Sequence, residues 1–236
     1  FLTPLEIAPA RKRAPQGPWG GLFLTGQGDN SDGIPREIKS LENNGKYDLT
    51  YLTGYSVRMH DYEAPFKGKR ITVLGLGLLG RGVGDVDFLA KCGAEVLVTD
   101  KKNGSELAAS VEKLKQYSNV QFKLGGHDPE DFKHCDMVLK AAGVRLDSPE
   151  VAVARAAGAQ VAMSTALFAK YASEAGVKIV GVTGTRGKST ITHMIYHSLI
   201  RTNKRTVLGG NVRGLSTLAL LPEVKAGDIA VLELDS

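Results

Sequence analysis

The residues from Arg70 to Asp100, RITVLGLGLLGRGVGDVDFLAKCGAEVLVTD, constrain the fold more than any other stretch of the sequence. An apolar run is followed by a glycine-rich turn, a segment of helix length, and a second apolar run that ends on an aspartate. This order is that of a β-strand, a crossover helix and a parallel β-strand. The chain must therefore contain a parallel sheet that is covered by helices.

The alternation of strands and helices continues after Asp100. The pattern predicts helices at 105–117, 149–157 and 164–176, and strands at 120–124, 136–140 and 160–163. A mostly parallel sheet of an α/β protein accounts for this alternation.

A second unit opens with the strand KIVGVTG and a glycine-rich loop. The helix that follows carries Ile191, Met194, Ile195 and Leu199 on one face, as an amphipathic helix does. A strand at 205–208, a helix near 215–221 and a strand at 228–234 complete the pattern. A parallel sheet of only three strands is incomplete, and the sequence stops directly after the third strand. We therefore expect a truncated second domain.

We expect three parts along the chain. Residues 1–65 hold six of the nine prolines and show no sustained period, so we expect an upstream segment that is poorly ordered and assign it no function. Residues 66–176 form a Rossmann-like domain in this interpretation. Residues 177–236 are the start of a nucleotide-binding domain of the P-loop type.

Composition excludes several classes of protein. No apolar run approaches the roughly 18 residues of a membrane helix, and the N-terminus lacks the order of a signal peptide, so we expect a cytoplasmic protein. The net charge of +5 is spread along the chain without interleaved aromatic residues, which argues against a nucleic-acid partner. Cys92 and Cys135 lack the CxxC spacing, so they suggest neither a zinc site nor a disulfide framework.

The segment from Gly75 to Gly80, GLGLLG, is a complete GxGxxG between a strand and a helix, and Asp100 ends the next strand. These are the conditions of a dinucleotide fingerprint, whose glycines let the backbone approach a diphosphate. NAD, FAD and a UDP-sugar all carry a diphosphate, so the ligand stays open at this point. A turn that only packs the helix on the strand is the alternative without a ligand.

The segment GTRGKST resembles a phosphate-binding loop with unusual spacing. In the usual loop four residues separate the first Gly from Gly-Lys, but here five separate Gly181 from Gly187, and Val182 occupies the expected Gly position. Gly184 and Gly187 still permit a loop whose amides face phosphate, which Lys188 can neutralise. Ser189 or Thr190 can then ligate magnesium together with Glu233, which ends a later strand.

The histidines give weaker signals. His193 and His197 lie four residues apart on one helix, but a zinc motif of the HExxH type needs Glu at 194, where this chain has Met. We therefore predict no metal there. His127, in the polar stretch GGHDPEDF, is interpreted as an exposed loop histidine.

The motifs together resemble those of the Mur ligases, which build the peptide of bacterial cell-wall precursors. The family loop TGTxGK(S/T)T is matched by residues 183–190, which explains the spacing, and GGN at 209–211 and LELDS at 232–236 follow in the family's order. Within the family, GLGLLGRG, LDSPEV and MSTALFAK look most like the branch that adds D-glutamate. The similarity extends over roughly residues 66–236.

The resemblance implies a set of roles. It implies that the first unit binds the UDP part of the substrate rather than NAD, that Lys188 and Glu233 are catalytic, and that Ser189 and Glu233 hold Mg²⁺. The implied UDP-binding residues are Gly75, Gly77, Leu78, Leu79, Gly80, Asp100 and Lys101, and the implied ATP-binding residues are Gly184, Thr185, Arg186, Gly187, Lys188, Ser189, Thr190 and Asn211.

The implied reaction joins D-glutamate to UDP-N-acetylmuramoyl-L-alanine with ATP as the energy source, through an acyl phosphate. The resemblance also implies a cytoplasmic monomer that acts on small molecules in cell-wall biogenesis and cell division, without a nucleic-acid or membrane partner.

Two departures from the family pattern affect this interpretation. Ala141-Ala142-Gly143 stands where the family usually has Ser/Asn-Pro-Gly, so a polar group expected near the substrate phosphates is absent. The sequence also stops at Ser236, and we expect this polypeptide alone to be inactive. An NAD-dependent oxidoreductase and a non-catalytic nucleotide-binding module remain as alternatives, although the first leaves GTRGKST, GGN and Glu233 without a role.

Overall fold

Five parallel strands form the first sheet of the computed structural model, which describes residues 61–78, 80–212 and 214–234. The strand order is β3-β2-β1-β4-β5, so the chain moves outward on one side of β1 and then returns to its other side. The strands are β1 (Arg70–Leu74), β2 (Glu95–Asp100), β3 (Val120–Leu124), β4 (Met137–Lys140) and β5 (Gln160–Ala162). The predicted parallel α/β sheet is confirmed.

The reversal of strand order lies between β1 and β4. Leu74, the last residue of β1, pairs with Thr99 of β2 on one side and with Lys140 of β4 on the other. In open parallel sheets a crevice forms outside the carboxyl ends of the strands at such a switch point, and ligands bind there. The topology therefore places a crevice directly above Leu74.

The two faces of the first sheet bury different side chains. Ile71 and Val73 of β1 point to a large apolar cluster, whereas Leu74 belongs to a smaller cluster with Phe132 and Val151. This is the alternation of a strand that is buried on both faces. The helices that cover the sheet are α1 (Arg81–Lys91), α2 (Ala108–Leu114), α3 (Pro149–Ala156) and α4 (Ser164–Glu174), with a 3₁₀ helix at Pro129–Phe132.

A second parallel sheet has three strands in the order β6-β8-β7. Its strands are β6 (Lys178–Val182), β7 (Thr206–Gly210) and β8 (Ile229–Glu233), with α5 (Lys188–Leu199) after β6. Because β8 is central, its last residue Glu233 pairs with Val182 on one side and Gly210 on the other. The carboxyl end of β8 therefore brings the two neighbouring loops together.

One apolar cluster is shared by both sheets. It contains Phe66 and Leu89 from the first sheet's region, and Leu218 and Leu232 from the second. Phe66 is fully buried and packs edge-on against Phe88 and Tyr171, with ring centroids 5.6 and 5.5 Å away. The separation into domains at 176/177 stays a prediction, because this packing joins the two sheets.

Several local predictions differ from the structure. The helix near 215–221 is a 3₁₀ helix at Leu218–Glu223, which contains Pro222 and so lacks the amide that an α-helix would need there. The helix at 105–117 is limited to Ala108–Leu114. On α5, Ile191 and Met194 are 48% and 64% exposed, so the predicted apolar face does not lie in a core.

The prediction for residues 1–65 falls mainly outside the described residues. Of these positions, only 61–65 are described, and the ring of Tyr62 lies 6.0 Å from that of Phe88. In the described part of the chain, none of the helices combines the length and the apolar character needed to span a membrane.

We predict that Gly82→Ala destabilises the protein by about 2 kcal/mol or more, which is typical of an overpacked site. A Cβ at position 82 would lie 2.1 Å from the carbonyl oxygen of Leu76, so the backbone of α1 or of the preceding loop must shift. Urea unfolding followed by circular dichroism measures the change.

Gly126→Ala is the matched control for this substitution. A Cβ at position 126 would meet no atom within 4 Å, so we expect a change below about 0.5 kcal/mol. Equal effects of the two substitutions would contradict the proposed close approach at Gly82.

Candidate functional site

The first glycine-rich loop has the backbone that its sequence predicts. Gly75, Gly77 and Gly80 have φ of 92°, 69° and 84°, which are left-handed values that favour glycine. Gly80 is the N-cap of α1, so the loop leads directly into the helix. Leu78 is 60% exposed beside this loop, and the predicted ligand contact Leu79 lies outside the described residues.

Asp100 is buried, and its carboxylate binds the glycine-rich loop. Oδ2 accepts hydrogen bonds from the amides of Leu76 and Gly77 at 2.9 and 3.1 Å, and Oδ1 accepts one from Lys102 at 2.9 Å. Burial favours a higher pKa of the Asp100 carboxyl, but the three amide hydrogen bonds and the Lys102 charge hold the pKa below its ordinary value. Three of about four acceptor positions of the carboxylate are therefore occupied by backbone amides.

His127 lies beside Asp100 and is more constrained than an exposed loop histidine. The amides of Gly125 and Gly126 bind the Asp100 carbonyl, and the Thr99 hydroxyl donates to the Gly126 carbonyl at 3.1 Å. That hydroxyl therefore accepts from Nδ1 of His127 at 2.8 Å, which leaves Nε2 as an acceptor. Burial lowers the pKa of His127 below its ordinary value, and the charge of Lys101 adds to this effect, although the charges of Glu150 and Asp100 oppose it.

A cleft of about 200 Å³ opens at the switch point between β1 and β4. Its first wall is the loop Gly75–Leu78 with the start of α1, and its floor is the turn Ala141–Gly143 after β4. Gly210 and Thr217, which belong to the second sheet and its following loop, form the opposite wall. The cleft is therefore bounded by the first glycine-rich loop and by residues of the second unit, whereas residues 184–190 do not line it.

Two basic residues that the sequence analysis missed line this cleft. Arg81 is half-buried at the first position of α1, and Lys140 is only 6% exposed at the end of β4. The ammonium of Lys140 donates to the Val144 carbonyl at 2.9 Å, across the turn that lacks the expected polar side chain. The sequence did contain signals for both residues. Arg81 directly follows GxGxxG, and Lys140 ends the strand predicted at 136–140.

Asp85 is a third residue that the motifs did not indicate. It is 8% exposed on α1 and lines the cleft, and Oδ1 accepts from the hydroxyls of Ser164 at 2.7 Å and Ser216 at 2.6 Å. Burial raises the pKa of its carboxyl to about 6, although the hydrogen bonds from both serines and the Arg81 charge oppose the rise. A carboxylate inside the apolar helix stretch GVGDVDFLA was the signal for it.

The second glycine-rich loop also has a left-handed backbone, with φ of 142° at Gly184 and 77° at Gly187. Gly187 is the N-cap of α5 and Lys188 is the first residue of this helix, whose N-terminal amides favour anions. The Lys188 ammonium donates to the Gly184 carbonyl at 2.7 Å. Thr185, Arg186 and Thr190 are exposed around this loop.

Ser189 and Glu233 come together as predicted for a magnesium site. The Ser189 hydroxyl donates to Oε1 of Glu233 at 3.0 Å, and Glu233 is buried at the end of β8. A hydroxyl and a carboxylate are ligands that Mg²⁺ prefers, so this pair fits the ion. The Asn211 amide donates to the Glu233 carbonyl at 2.7 Å, so the GGN loop lies against the same strand end.

The two helical histidines do not form the core of a metal site. Nδ1 of His193 lies 2.8 Å from the Ser189 carbonyl of its own helix, and the rings of His193 and His197 are 6.4 Å apart. Within residues 61–78, 80–212 and 214–234, no group of three or more His, Cys, Asp or Glu side chains has the arrangement of a metal site.

The family model and the curated relatives that match this chain carry related names. Residues 69–163 match the family model described as Mur ligase MurD-like, N-terminal domain. The UDP-N-acetylmuramoylalanine–D-glutamate ligase of Roseiflexus sp. is 39% identical over 169 residues, which are 72% of this chain and 35% of the relative. The ligase of the same name from Anaeromyxobacter dehalogenans is 40% identical over 171 residues, with the same coverage of 72% and 35%.

The chain spans about a third of the length of the curated relatives that it matches. Among solved structures, the UDP-N-acetylmuramate-alanine ligase MurC of Thermotoga maritima is similar over 70% of this chain and 36% of that chain. The TM-score is 0.43 and the identity is 22%.

We predict that Asp85→Asn removes a pH-dependent destabilisation. The folded pKa of about 6 lies above the ordinary value of 3.8, so the folded protein holds this proton more tightly than the unfolded chain does. The contribution of Asp85 to stability is therefore fully present below pH 3.8 and is lost as pH rises through 6. Urea unfolding between pH 4 and 7 should show the variant gaining up to about 3 kcal/mol over the wild type.

A constant difference between the two proteins over this pH range would contradict the raised pKa of Asp85. Asp87→Asn is the matched control on the same helix, because Asp87 binds Lys91 and Tyr117 outside the cleft. It should not reproduce the pH-dependent gain.

Proposed function

We propose, starting from residues 69–163 as a Mur ligase MurD-like N-terminal domain, that this chain is the substrate-binding part of a ligase of peptidoglycan precursor synthesis. The full reaction in this proposal joins D-glutamate to UDP-N-acetylmuramoyl-L-alanine at the expense of ATP, in the cytoplasm. The observation that carries the proposal is the cleft between the first glycine-rich loop and the second unit, because a UDP-linked substrate must extend from its own site toward the unit that binds ATP.

The uridine end of the substrate binds near Asp100 in this proposal. The free acceptor position of Asp100, the exposed Lys101 and Nε2 of His127 lie around the carboxyl ends of β2 and β3. These groups offer two acceptors and one donor, which suit a base and a ribose. Two amides of the glycine-rich loop already bind Asp100, so the loop is shaped before the ligand arrives.

The diphosphate lies along the cleft, between the glycine-rich loop and the turn after β4. Arg81 supplies a guanidinium there, and the buried charge of Lys140 lies below Ala141-Ala142-Gly143. Cations near phosphate oxygens form stronger hydrogen bonds than neutral groups do. These two residues offset the absence of the Ser/Asn-Pro-Gly turn.

The second unit binds the ATP phosphates and Mg²⁺. Amides of the loop 184–187 and the Lys188 ammonium neutralise phosphate charge, while Ser189 and Glu233 hold the ion and Asn211 borders the same site. When bound, Mg²⁺ supplies further charge neutralisation. The chain's own residues position the phosphates, which is the main protein contribution to phosphoryl transfer.

The proposed reaction has two steps. The substrate's terminal carboxylate attacks the γ-phosphorus of ATP, and the bond to ADP breaks, which leaves an acyl phosphate. The amine of D-glutamate then attacks the acyl carbon and inorganic phosphate leaves. The remaining two thirds of the relatives' length are needed for this activity in the proposal, so this chain alone binds the substrate without turning it over.

The first experiment is calorimetric titration of this chain with UDP-N-acetylmuramoyl-L-alanine and, separately, with NAD. We expect binding of the UDP compound alone, because residues 69–163 match a Mur ligase MurD-like N-terminal domain. Binding of NAD alone would replace the proposal with an NAD-dependent oxidoreductase. A third result, UDP-substrate binding by a complete protein that never ligates, would support a non-catalytic nucleotide-binding module.

We predict that Arg81→Ala lowers the affinity for the UDP substrate about tenfold, the loss expected for one charged contact to phosphate. Arg205→Ala is the matched control, because Arg205 is exposed just before β7, at the opposite end of the strands from the cleft. A similar loss in both variants would indicate a general effect of net charge and would contradict a specific role for Arg81.

We predict that Lys188→Ala, in a complete ligase that contains this chain, abolishes ATP-dependent ligation and leaves UDP-substrate binding within about twofold. The reason is that Lys188 lies at the second glycine-rich loop, outside the cleft of the first. Phosphate release measures the first quantity and calorimetry the second. Retained ligation would overturn the role given to Lys188, and Lys204→Ala, an exposed lysine after α5, is the control.

A further inference from the structure

We propose that Asp85 joins the two walls of the cleft and is a positioning residue for a substrate that contacts both walls. The identity of that substrate rests on the function proposed above. The junction itself rests on the hydrogen bonds of Asp85 to Ser164 and Ser216.

The contacts of Asp85 connect three segments that are distant in sequence. The carboxylate lies on α1 of the first wall, Ser164 begins α4, and Ser216 lies in the loop between β7 and the 3₁₀ helix Leu218–Glu223. Both serine hydroxyls donate to the same oxygen, at 2.7 and 2.6 Å. Asp85 thereby contacts Ser164 and Ser216, which lie 79 and 131 residues further along the chain.

The serines extend this junction into the backbone of the second wall. The Leu218 amide donates to the Ser164 hydroxyl oxygen at 3.2 Å, and the Ala219 amide donates to that of Ser216 at 3.1 Å. Each hydroxyl therefore accepts one amide hydrogen and gives its own to Asp85. Without the carboxylate both hydroxyl hydrogens would lose their acceptor at half-buried positions, which weakens the contact between the walls.

The neighbouring residue fixes how closely the walls approach. A Cβ at Gly84 would lie 2.6 Å from Cβ of Ser216, so only glycine lets α1 reach this loop at the observed distance. The steric contact between Gly84 and Ser216 and the hydrogen bonds of Asp85 together set the distance between the two walls.

The position of the Ser216 loop determines the second wall of the cleft. Thr217, the next residue, exchanges hydrogen bonds with the Gly210 backbone at 2.7 and 3.2 Å. Gly210 is the last residue of β7 and precedes Asn211, whose amide binds the Glu233 carbonyl at the end of β8. A shift of Ser216 would therefore move Thr217 and Gly210 away from the first glycine-rich loop. Charged groups of the same cleft that face this region are Arg81 and Lys140.

The acceptor oxygen, rather than the negative charge, is what the junction requires. Asp85→Asn keeps an oxygen at the same place and should retain the junction, whereas Asp85→Leu has similar size and no acceptor. The test compares these variants of the 236-residue chain by calorimetry with two probes, UDP and UDP-N-acetylmuramoyl-L-alanine. UDP is expected to contact the first wall only.

We expect Asp85→Leu to weaken binding of the longer probe about tenfold, while UDP binding stays within about twofold, because two hydrogen bonds at the junction are lost. Asp85→Asn should bind both probes within about threefold of the wild type. Ser216→Ala, which removes one hydroxyl only, replaces Asp85→Leu if the latter does not fold, with a loss of about threefold. Asp87→Leu is the control on the same helix.

An equal loss for both probes would overturn the positioning role, because a general structural defect would weaken both. No loss for either probe would overturn it as well. If the wild type binds neither probe, the proposed function fails, and hydrogen exchange of the Leu218 and Ala219 amides then decides on the junction. Faster exchange in Asp85→Leu, with wild-type rates in Asp85→Asn, supports the junction, and unchanged exchange overturns it.

Discussion

The hydrogen bonds between the Asp100 carboxylate and the amides of Leu76 and Gly77 determine the shape of the first site. They connect the end of β2 to the loop that follows β1, directly at the switch point of the sheet. The Asp100 carboxylate thus holds the amides of Leu76 and Gly77 in one orientation. The loop begins α1 at Gly80 in one orientation, and this orientation sets where Arg81 and Asp85 lie.

The second unit uses a similar principle with different groups. The buried Glu233 pairs with the Ser189 hydroxyl, and its backbone carbonyl accepts the Asn211 amide. The strand order β6-β8-β7 makes this possible, since the central strand ends between the two loops. In both units an acidic residue at a strand end binds groups that follow a neighbouring strand, so the two units share one structural feature.

Sequence reasoning succeeded where a local pattern carries the information. The strand Val120–Leu124 and the start of α3 at Pro149 follow from apolar runs and from a Ser-Pro N-terminus. The meeting of Ser189 with Glu233 agrees with the position of Glu233 at the end of a later strand, which indicated a carboxylate near the loop. Beyond local pattern, the prediction rested on family resemblance.

Other features of the site depend on contacts that no window of sequence contains. Ser216 reaches Asp85 across 131 positions, and the burial that raises the pKa of Asp85 arises only when three segments pack together. His127 looked like an exposed loop residue because its partner Thr99 lies on another strand. The apolar side chains of Ile191 and Met194 have the spacing of a buried helix face, yet both are exposed among the described residues, because spacing along one helix does not show what packs against it.

The close approach of Gly210 to β8 fixes the position of the GGN loop in the second unit by steric contact. A Cβ at Gly210 would lie 2.1 Å from the Glu233 carbonyl oxygen, so the distance between the GGN loop and the strand is set by steric contact of backbone atoms. Steric contact does not depend on ionic strength. The GGN loop therefore keeps its distance from the end of β8 whatever the charge of its surroundings.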